Sequence, residues 1–227
     1  MLHIFLDFDG TLADSSEGIH AAFTHACQEV GIQSPPLSEF RSLIGPPIQD
    51  LARQLMPGIG ADILEKLRLK FRAEYDHRCY SRFQWYDGVI EGLQVLYAEK
   101  QASLSIVTNK PTRPTGDLLQ SAGIARLFEY IVGVDYRVVN GLGSIFSCKK
   151  EAMLFALSLT GCPAEQAVYV GDTLSDQKAC QESGVAFIAA TYGFHSWQPQ
   201  ELDGITNVRS FGDAVDTLCN LLPCAKR

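Results

Sequence analysis

The sequence lacks the features that would suit it to a disulfide scaffold, a zinc finger or a membrane span. Its seven cysteines (Cys27, Cys79, Cys148, Cys162, Cys180, Cys219, Cys224) are odd in number and contain no C-x-x-C pair. That argues against a disulfide framework and for reduced thiols in a cytoplasmic setting. The five histidines, His3, His20, His25, His77 and His195, show neither H-x-x-x-H nor H-E-x-x-H spacing, so no zinc site is expected. No apolar run approaches the ~18 residues of a membrane helix, and the amino terminus lacks the basic and apolar regions of a signal peptide. Basic charge is scarce: 19 Lys and Arg against 26 Asp and Glu leave a net charge of −7. This balance disfavours sequence-independent binding to nucleic acid or to anionic membranes. Internal repeats and low-complexity tracts are absent as well.

What remains is an ordinary globular chain of 227 residues, 46% apolar and 20% charged, long enough to bury a core in one domain or two. Five apolar runs rich in β-branched and aromatic residues stand out at 2–8, 103–109, 130–134, 166–171 and 185–191. Each is continuous rather than alternating, as in strands buried on both faces. The later runs are separated by helical patterns. Residues 88–99 place Val89, Leu93, Leu96 and Tyr97 on one face, and 150–160 place Met153, Leu154 and Leu157 there before Gly161. Strand–helix alternation predicts an α/β fold: a Rossmann-like parallel sheet with helices on both faces.

The first gap breaks this rhythm. Residues 15–80 read as helical almost throughout. Asp14 to Glu17 resembles a capping box, followed by Ile19, Phe23, Ala26 and Val30 at helical spacing and by Gly31 as a stop. Further faces fall at Ile48, Leu51 and Leu55, and at Ile63, Leu67 and Phe71. The expectation is a small all-helical domain at 14–86, inserted after the first strand of an α/β core formed by 1–13 and 87–227.

In open parallel sheets ligands bind beyond the carboxyl ends of the strands. The first strand ends in Asp7, Phe8, Asp9, Gly10 and Thr11, the second in Thr108, Asn109 and Lys110, and the fourth in Gly171 to Asp176. Lys149 and Lys150 open the helix before the fourth strand, with Ser147 as a candidate cap. Two cations in a first helical turn oppose the macrodipole, which is easier to understand if acidic groups lie nearby. Asp7, Asp9 and Asp172 offer hard oxygens suited to Mg²⁺. Strand alternation would point Asp7 and Asp9 to one side. One carboxylate can attack phosphorus while the other serves as acid and base. Gly10 lets the backbone approach a phosphate, while Thr108 and one of the two lysines would hold its oxygens. Asp176 reads either as a metal-site carboxylate or as a helix cap.

DFDGT at 7–11, TN at 108–109, the lysines at 149–150 and GDTLSD at 171–176 occur in the order of the four motifs of the haloacid dehalogenase superfamily, which the chain resembles along nearly its whole length. The helical insertion is similar to that superfamily's C1-type cap. IGPP at 44–47, WYDGVIEGL at 85–93 and VTNKP at 107–111 resemble its phosphoglycolate phosphatase branch. The resemblance implies Asp7 as nucleophile and Asp9 as general acid and base. It implies Mg²⁺ on Asp7, Asp172 and the backbone carbonyl of Asp9, with Asp176 as an outer or additional carboxylate. Thr108 and Lys149 complete the expected catalytic set, and Gly10, Thr11, Asn109 and Lys150 are the expected substrate contacts. The branch usually has Lys-Pro-x-Pro at the third motif, where this chain has Lys149, Lys150 and Glu151; K-x-[DE] elsewhere in the superfamily favours Lys149. The implied function is Mg²⁺-dependent hydrolysis of a small phosphorylated metabolite through an aspartyl phosphate, by a monomer or homodimer. A phosphosugar mutase and a phospho-accepting signalling module are the alternatives.

Overall fold

A computed structural model describes residues 1–222; Cys224 and the end of the expected core, 223–227, lie outside the described residues. The strands are β1 (Leu2–Leu6), β2 (Ala13–Asp14), β3 (Gln84–Trp85), β4 (Ala102–Val107), β5 (Tyr130–Val132), β6 (Ala167–Gly171), β7 (Ala186–Ala190) and β8 (Thr206–Val208). Six of them form one sheet in the order β5-β4-β1-β6-β7-β8, with every pair parallel. The continuous apolar runs explain this arrangement. Ile4, Phe5 and Leu6 are fully inaccessible, as are Tyr169 and Val170, so both faces of the central strands are covered. Burying each such large side chain contributes roughly 1.5–3 kcal/mol. The fold is the expected α/β class.

Five strands follow the five runs, their ends differing by one or two residues. β8 has no such run: Thr206 and Asn207 are exposed and only Val208 is buried, as an edge strand allows. Helix faces shift by similar amounts. Tyr97 and Leu154 point outward, and the buried face of Lys149–Thr160 is Ala152, Met153 and Ala156.

The chain divides into two compact units, Met1–Ala13 with the chain from Trp85 onward, and Asp14–Gln84. The short pair of β2 with β3 stands where the chain leaves the first unit and returns. The second unit is helical. Helix Ser16–Glu29 buries Ile19, Phe23 and Ala26, and helix Ala61–Glu74 buries Leu64, Leu67 and Phe71. Leu64 thus takes the place expected of Ile63, which is exposed. Gly18 admits the turn Tyr75–Cys79, because a Cβ there would stand 2.4 Å from the Cys79 carbonyl oxygen.

Two caps differ from expectation. Ser15 is the N-cap of Ser16–Glu29 without a side-chain bond, because Asp14 Oδ1 accepts from both the Ser16 N–H and its hydroxyl, at 3.0 and 2.5 Å. Cys148, not Ser147, caps Lys149–Thr160. The N–H and hydroxyl of Ser147 donate instead to Glu151, at 3.0 and 2.8 Å.

Candidate active site

β1 lies at the centre of the sheet, and the chain order reverses beside it: β4 and β5 extend to one side, β6 to β8 to the other. The crevice at such a switch point is where residues from several strand ends can converge. Asp7 sits there, its N–H donating to the Val170 carbonyl of β6 at 3.0 Å. The strand itself stops at Leu6, so the period-two argument for Asp7 and Asp9 does not extend to them. Residues 8–13 form a tight turn in which the Phe8 carbonyl accepts from the N–H groups of Leu12 and Ala13, at 2.9 and 3.1 Å. Phe8 is nevertheless fully buried. Asp7 and Asp9 each have a lysine of their own.

Lys149 is the lysine on Asp7. It is buried, and its ammonium donates to Asp7 Oδ2 and to Asp176 Oδ1. Lys150 is not brought into this cluster; its half-exposed side chain pairs with Glu182 at 3.6 Å. One residue of helical advance turns the side chain by about 100°, which puts neighbours in different surroundings.

Asp176 has the geometry of the cap considered for it and also faces the buried cluster. It is the third residue of a capping box, its Oδ2 accepting from the N–H and hydroxyl of Thr173 at 2.9 and 2.7 Å. Its Oδ1 meets Lys149 and the Tyr169 hydroxyl, the latter at 3.4 Å. Asp172 is fully buried and accepts at Oδ2 from the Phe194 N–H at 2.8 Å. The Thr11 hydroxyl approaches its Oδ1 at 3.5 Å. Gly10 has φ +81°, and a Cβ there would stand 2.1 Å from Asp172 Oδ2, so backbone and carboxylate can be this close only at glycine.

Thr108 is buried just beyond β4, where its N–H donates to the Val132 carbonyl at 3.0 Å and its hydroxyl bonds Asp7. Asn109 follows it, partly buried. Three neighbours were not expected. Lys110 places its ammonium 3.0 Å from Asp9 Oδ1. Tyr169 donates to the Val107 carbonyl at 2.8 Å and lies with its ring 5.4 Å from the Lys149 ammonium. A Cβ on Gly193 would stand 2.3 Å from the Asp172 Cβ. Lys110 was visible in the sequence as the next residue after the second motif. Gly193 carried no signal beyond following the end of β7.

Burial raises the Asp7 carboxyl from its ordinary 3.8 to about 6; Lys149 opposes this rise and Asp176 adds to it. Asp172 is raised well above the usual carboxylate range, by burial first and then by Asp176 and Asp7. Burial alone would lower the Lys149 ammonium, but Asp176 and Asp7 outweigh it and hold it charged. Oxygens of Asp7, Asp172 and Asp176 all lie within 4.8 Å of one another. When ionised, Asp7, Asp9, Asp172 and Asp176 bring four negative charges against the two positive charges of Lys110 and Lys149. The difference equals the charge of one divalent cation. An all-oxygen, net negative, buried donor set fits a hard ion such as Mg²⁺.

The comparisons with known proteins agree with this geometry. Residues 4–190 match the haloacid dehalogenase-like hydrolases. Phosphoglycolate phosphatase 1 of Pseudomonas aeruginosa is 29% identical over 230 residues, covering 98% of this chain and 79% of that protein. The phosphoglycolate phosphatase of Pseudomonas putida is 29% identical over 233 residues, with the same coverage. Among solved structures, a haloacid dehalogenase-like family hydrolase from Streptococcus pneumoniae superposes with a TM-score of 0.84 at 27% identity, covering 96% of this chain and 98% of that one. The chain therefore belongs to the haloacid dehalogenase-like hydrolases and falls with that family's phosphatases. No helix among the described residues is long and apolar enough to cross a membrane.

Proposed function

We propose that the chain is a Mg²⁺-dependent phosphatase acting on a small phosphorylated metabolite of the phosphoglycolate kind, in the cytoplasm, through an aspartyl-phosphate intermediate. The observation that supports this most is the buried set of Asp7, Asp172 and Asp176 around one lysine at the switch point of the sheet. Asp7, Asp172 and the Asp9 carbonyl would hold the ion, with Asp176 behind them. When bound, the ion offsets the charge of the four carboxylates and of an incoming phosphoryl group.

The side chains then divide the work. Asp7 attacks phosphorus, and the Thr108 hydroxyl and Lys149 ammonium beside it orient its carboxylate and hold phosphoryl oxygens. Asp176 and Tyr169 keep Lys149 in place. Gly10 and Thr11 present the turn after β1 to the phosphate, with Asn109 at the neighbouring strand end. Asp9 protonates the leaving oxygen and then takes a proton from water. In this reading Lys150 serves the surface of its helix, and the helical unit Asp14–Gln84 is the cap that selects among leaving groups.

A panel of phosphate monoesters assayed with and without Mg²⁺ tests the proposal. Release of phosphate from 2-phosphoglycolate or a similar small ester is expected, with complete loss in excess EDTA and recovery on adding Mg²⁺. Undiminished turnover in EDTA would remove the metal from the reading. Inactivity toward every ester with Mg²⁺ present would remove the phosphatase.

A further inference from the structure

We infer that Lys110 is a positioning residue of this site, acting through Asp9. The inference deepens the phosphatase reading and rests on it. The Lys110 side chain is 1% exposed and its ammonium lies 3.0 Å from Asp9 Oδ1, while the Asp9 side chain remains 18% exposed. The same ammonium stands 5.3 Å from the centre of the Phe8 ring, within cation–π range. The backbone that presents it is fixed on both sides. The Lys110 N–H donates to the Thr108 hydroxyl oxygen at 3.2 Å, and its carbonyl accepts from the Val134 N–H at 3.3 Å. A Cβ on Gly133 would stand 2.5 Å from that carbonyl oxygen, so glycine permits the close approach.

Burying an ammonium gives up its hydration, and ordering a lysine side chain gives up rotamer freedom as well. A strand-to-helix turn needs neither. The arrangement instead places one cation against one oxygen of the carboxylate that must face a leaving group. Held at Oδ1, the Asp9 carboxylate keeps its plane and presents its other oxygen in one direction. A proton donor held within about half an ångström of its productive position transfers far better than one that rotates. Lys110 thus does for Asp9 what Lys149 and Thr108 do for Asp7: it removes freedom from a carboxylate without itself reacting.

Lys110→Met, which keeps the stem and removes the charge, tests this alongside Lys110→Arg, which keeps a donor. Each is compared with the parent chain in Mg²⁺ using two esters, an alkyl phosphate and 4-nitrophenyl phosphate, with kcat/KM reporting steps through departure of the leaving group. The alkyl leaving group needs a proton and nitrophenolate does not. Lys110→Met should lower kcat/KM for the alkyl ester by about 10²-fold, on the scale of lost general-acid catalysis, and lower it far less for the nitrophenyl ester. Lys110→Arg should recover part of the difference. A fall in kcat/KM by one common factor for both esters would overturn the inference. Crystal structures of the parent chain and Lys110→Met supply a readout independent of turnover. The Asp9 carboxylate should be rotated or split between conformers in the variant, and an unmoved Asp9 would overturn the inference. If the parent chain hydrolyses no ester of the panel, the phosphatase reading falls by itself, and the crystallographic comparison still decides whether Lys110 fixes Asp9.

Discussion

Among the described residues the buried ion pairs all lie in one of the two units, beside surface pairs such as Lys150 with Glu182, while the other unit has surface pairs alone. In Asp14–Gln84 every ion pair has at least one partner a third exposed or more, as in Arg53 with Asp50 at 2.8 Å, Arg68 with Glu65 at 2.5 Å, and Lys70 with Glu29 at 2.8 Å. In the other unit Lys149 meets Asp7 and Asp176 out of contact with water, and Lys110 meets Asp9 nearly so. Pairs of the first sort contribute little, because water and salt screen them and long side chains lose freedom in forming them. Pairs of the second sort are expensive to assemble and seldom repay their desolvation in stability. Three buried carboxylates with one ammonium bonded to two of them are an arrangement that desolvation opposes, so it marks where stability gives way to chemistry.

The largest expected effect removes the reacting group. Asp7→Asn should abolish covalent labelling of the enzyme by a phosphate ester and lower kcat by about 10⁴-fold or more, as loss of a nucleophile does. Rapid-quench trapping measures both. Phosphate trapped on the variant to the same extent as on the parent would mean that the buried pair Asp7–Lys149 is structural after all.

Next comes the contrast between adjacent lysines. Lys149→Met strands Asp7 and Asp176 without their cation, a change that typically destabilises a buried pair by about 3–5 kcal/mol. Lys150→Met removes only a half-exposed partner of Glu182 and should leave the unfolding midpoint where it was. Denaturant titrations of the two variants under metal-free conditions make the comparison. Equal shifts would erase the distinction drawn between the two kinds of ion pair.

How far was this division legible beforehand? The sheet was, because continuous apolar runs such as Ile4 to Leu6 and Val168 to Val170 are strands by composition alone. β8 was not, since an edge strand with one buried residue leaves no run to find. The residues at the strand ends could be read as a group, since topology brings the ends of β1, β4 and β6 to one side. Their pairing could not. Which of Lys149 and Lys150 turns inward depends on where the helix starts, and the start is at Cys148 rather than Ser147. Lys110 stood beside the second motif, but its reach to Asp9 depends on the turn at residues 8–13, which no periodicity describes. The closeness of Gly193 to Asp172 comes from packing across the sheet and has no local signature.

A smaller effect follows from the carboxylates themselves. Unfolded, Asp7 titrates near 3.8, whereas folded it titrates at about 6. The folded state therefore holds the proton more tightly. The stability this confers is complete below about pH 4 and is lost as pH rises through 6, at up to about 1.4 kcal/mol per pH unit. Asp172 shifts in the same direction, for the same first cause, burial. Metal-free protein should accordingly become less stable between pH 4 and pH 7 at this site. Added Mg²⁺ should reverse the loss, since a bound cation favours the ionised carboxylates. Thermal unfolding at several pH values, with EDTA and with Mg²⁺, tests this. A metal-free protein whose stability rises across that range, with no response to Mg²⁺, would mean that the cluster neither repels itself nor binds the ion.

The smallest expected effect lies in the helical unit and gives the comparison its hardest test. Arg68 and Glu65 form the best-shaped surface pair there, two near-parallel bonds of 2.8 and 2.5 Å between successive turns of one helix. If any exposed pair in this unit stabilises the fold as its geometry suggests, it is this one, because a planar guanidinium meets a carboxylate in two places. The Glu65 carboxyl is held below its ordinary range by the Arg68 hydrogen bonds, so some attraction exists. Yet both side chains reach water, where a Debye length of about 8 Å at physiological salt damps the attraction and the unpaired groups are well hydrated. Glu65→Gln should therefore leave the unfolding midpoint unchanged within error at physiological salt, with any shift seen at low salt vanishing as salt is added. A shift that persists in high salt and matches that of Lys149→Met would show that geometry, not burial, decides which ion pairs count in this protein.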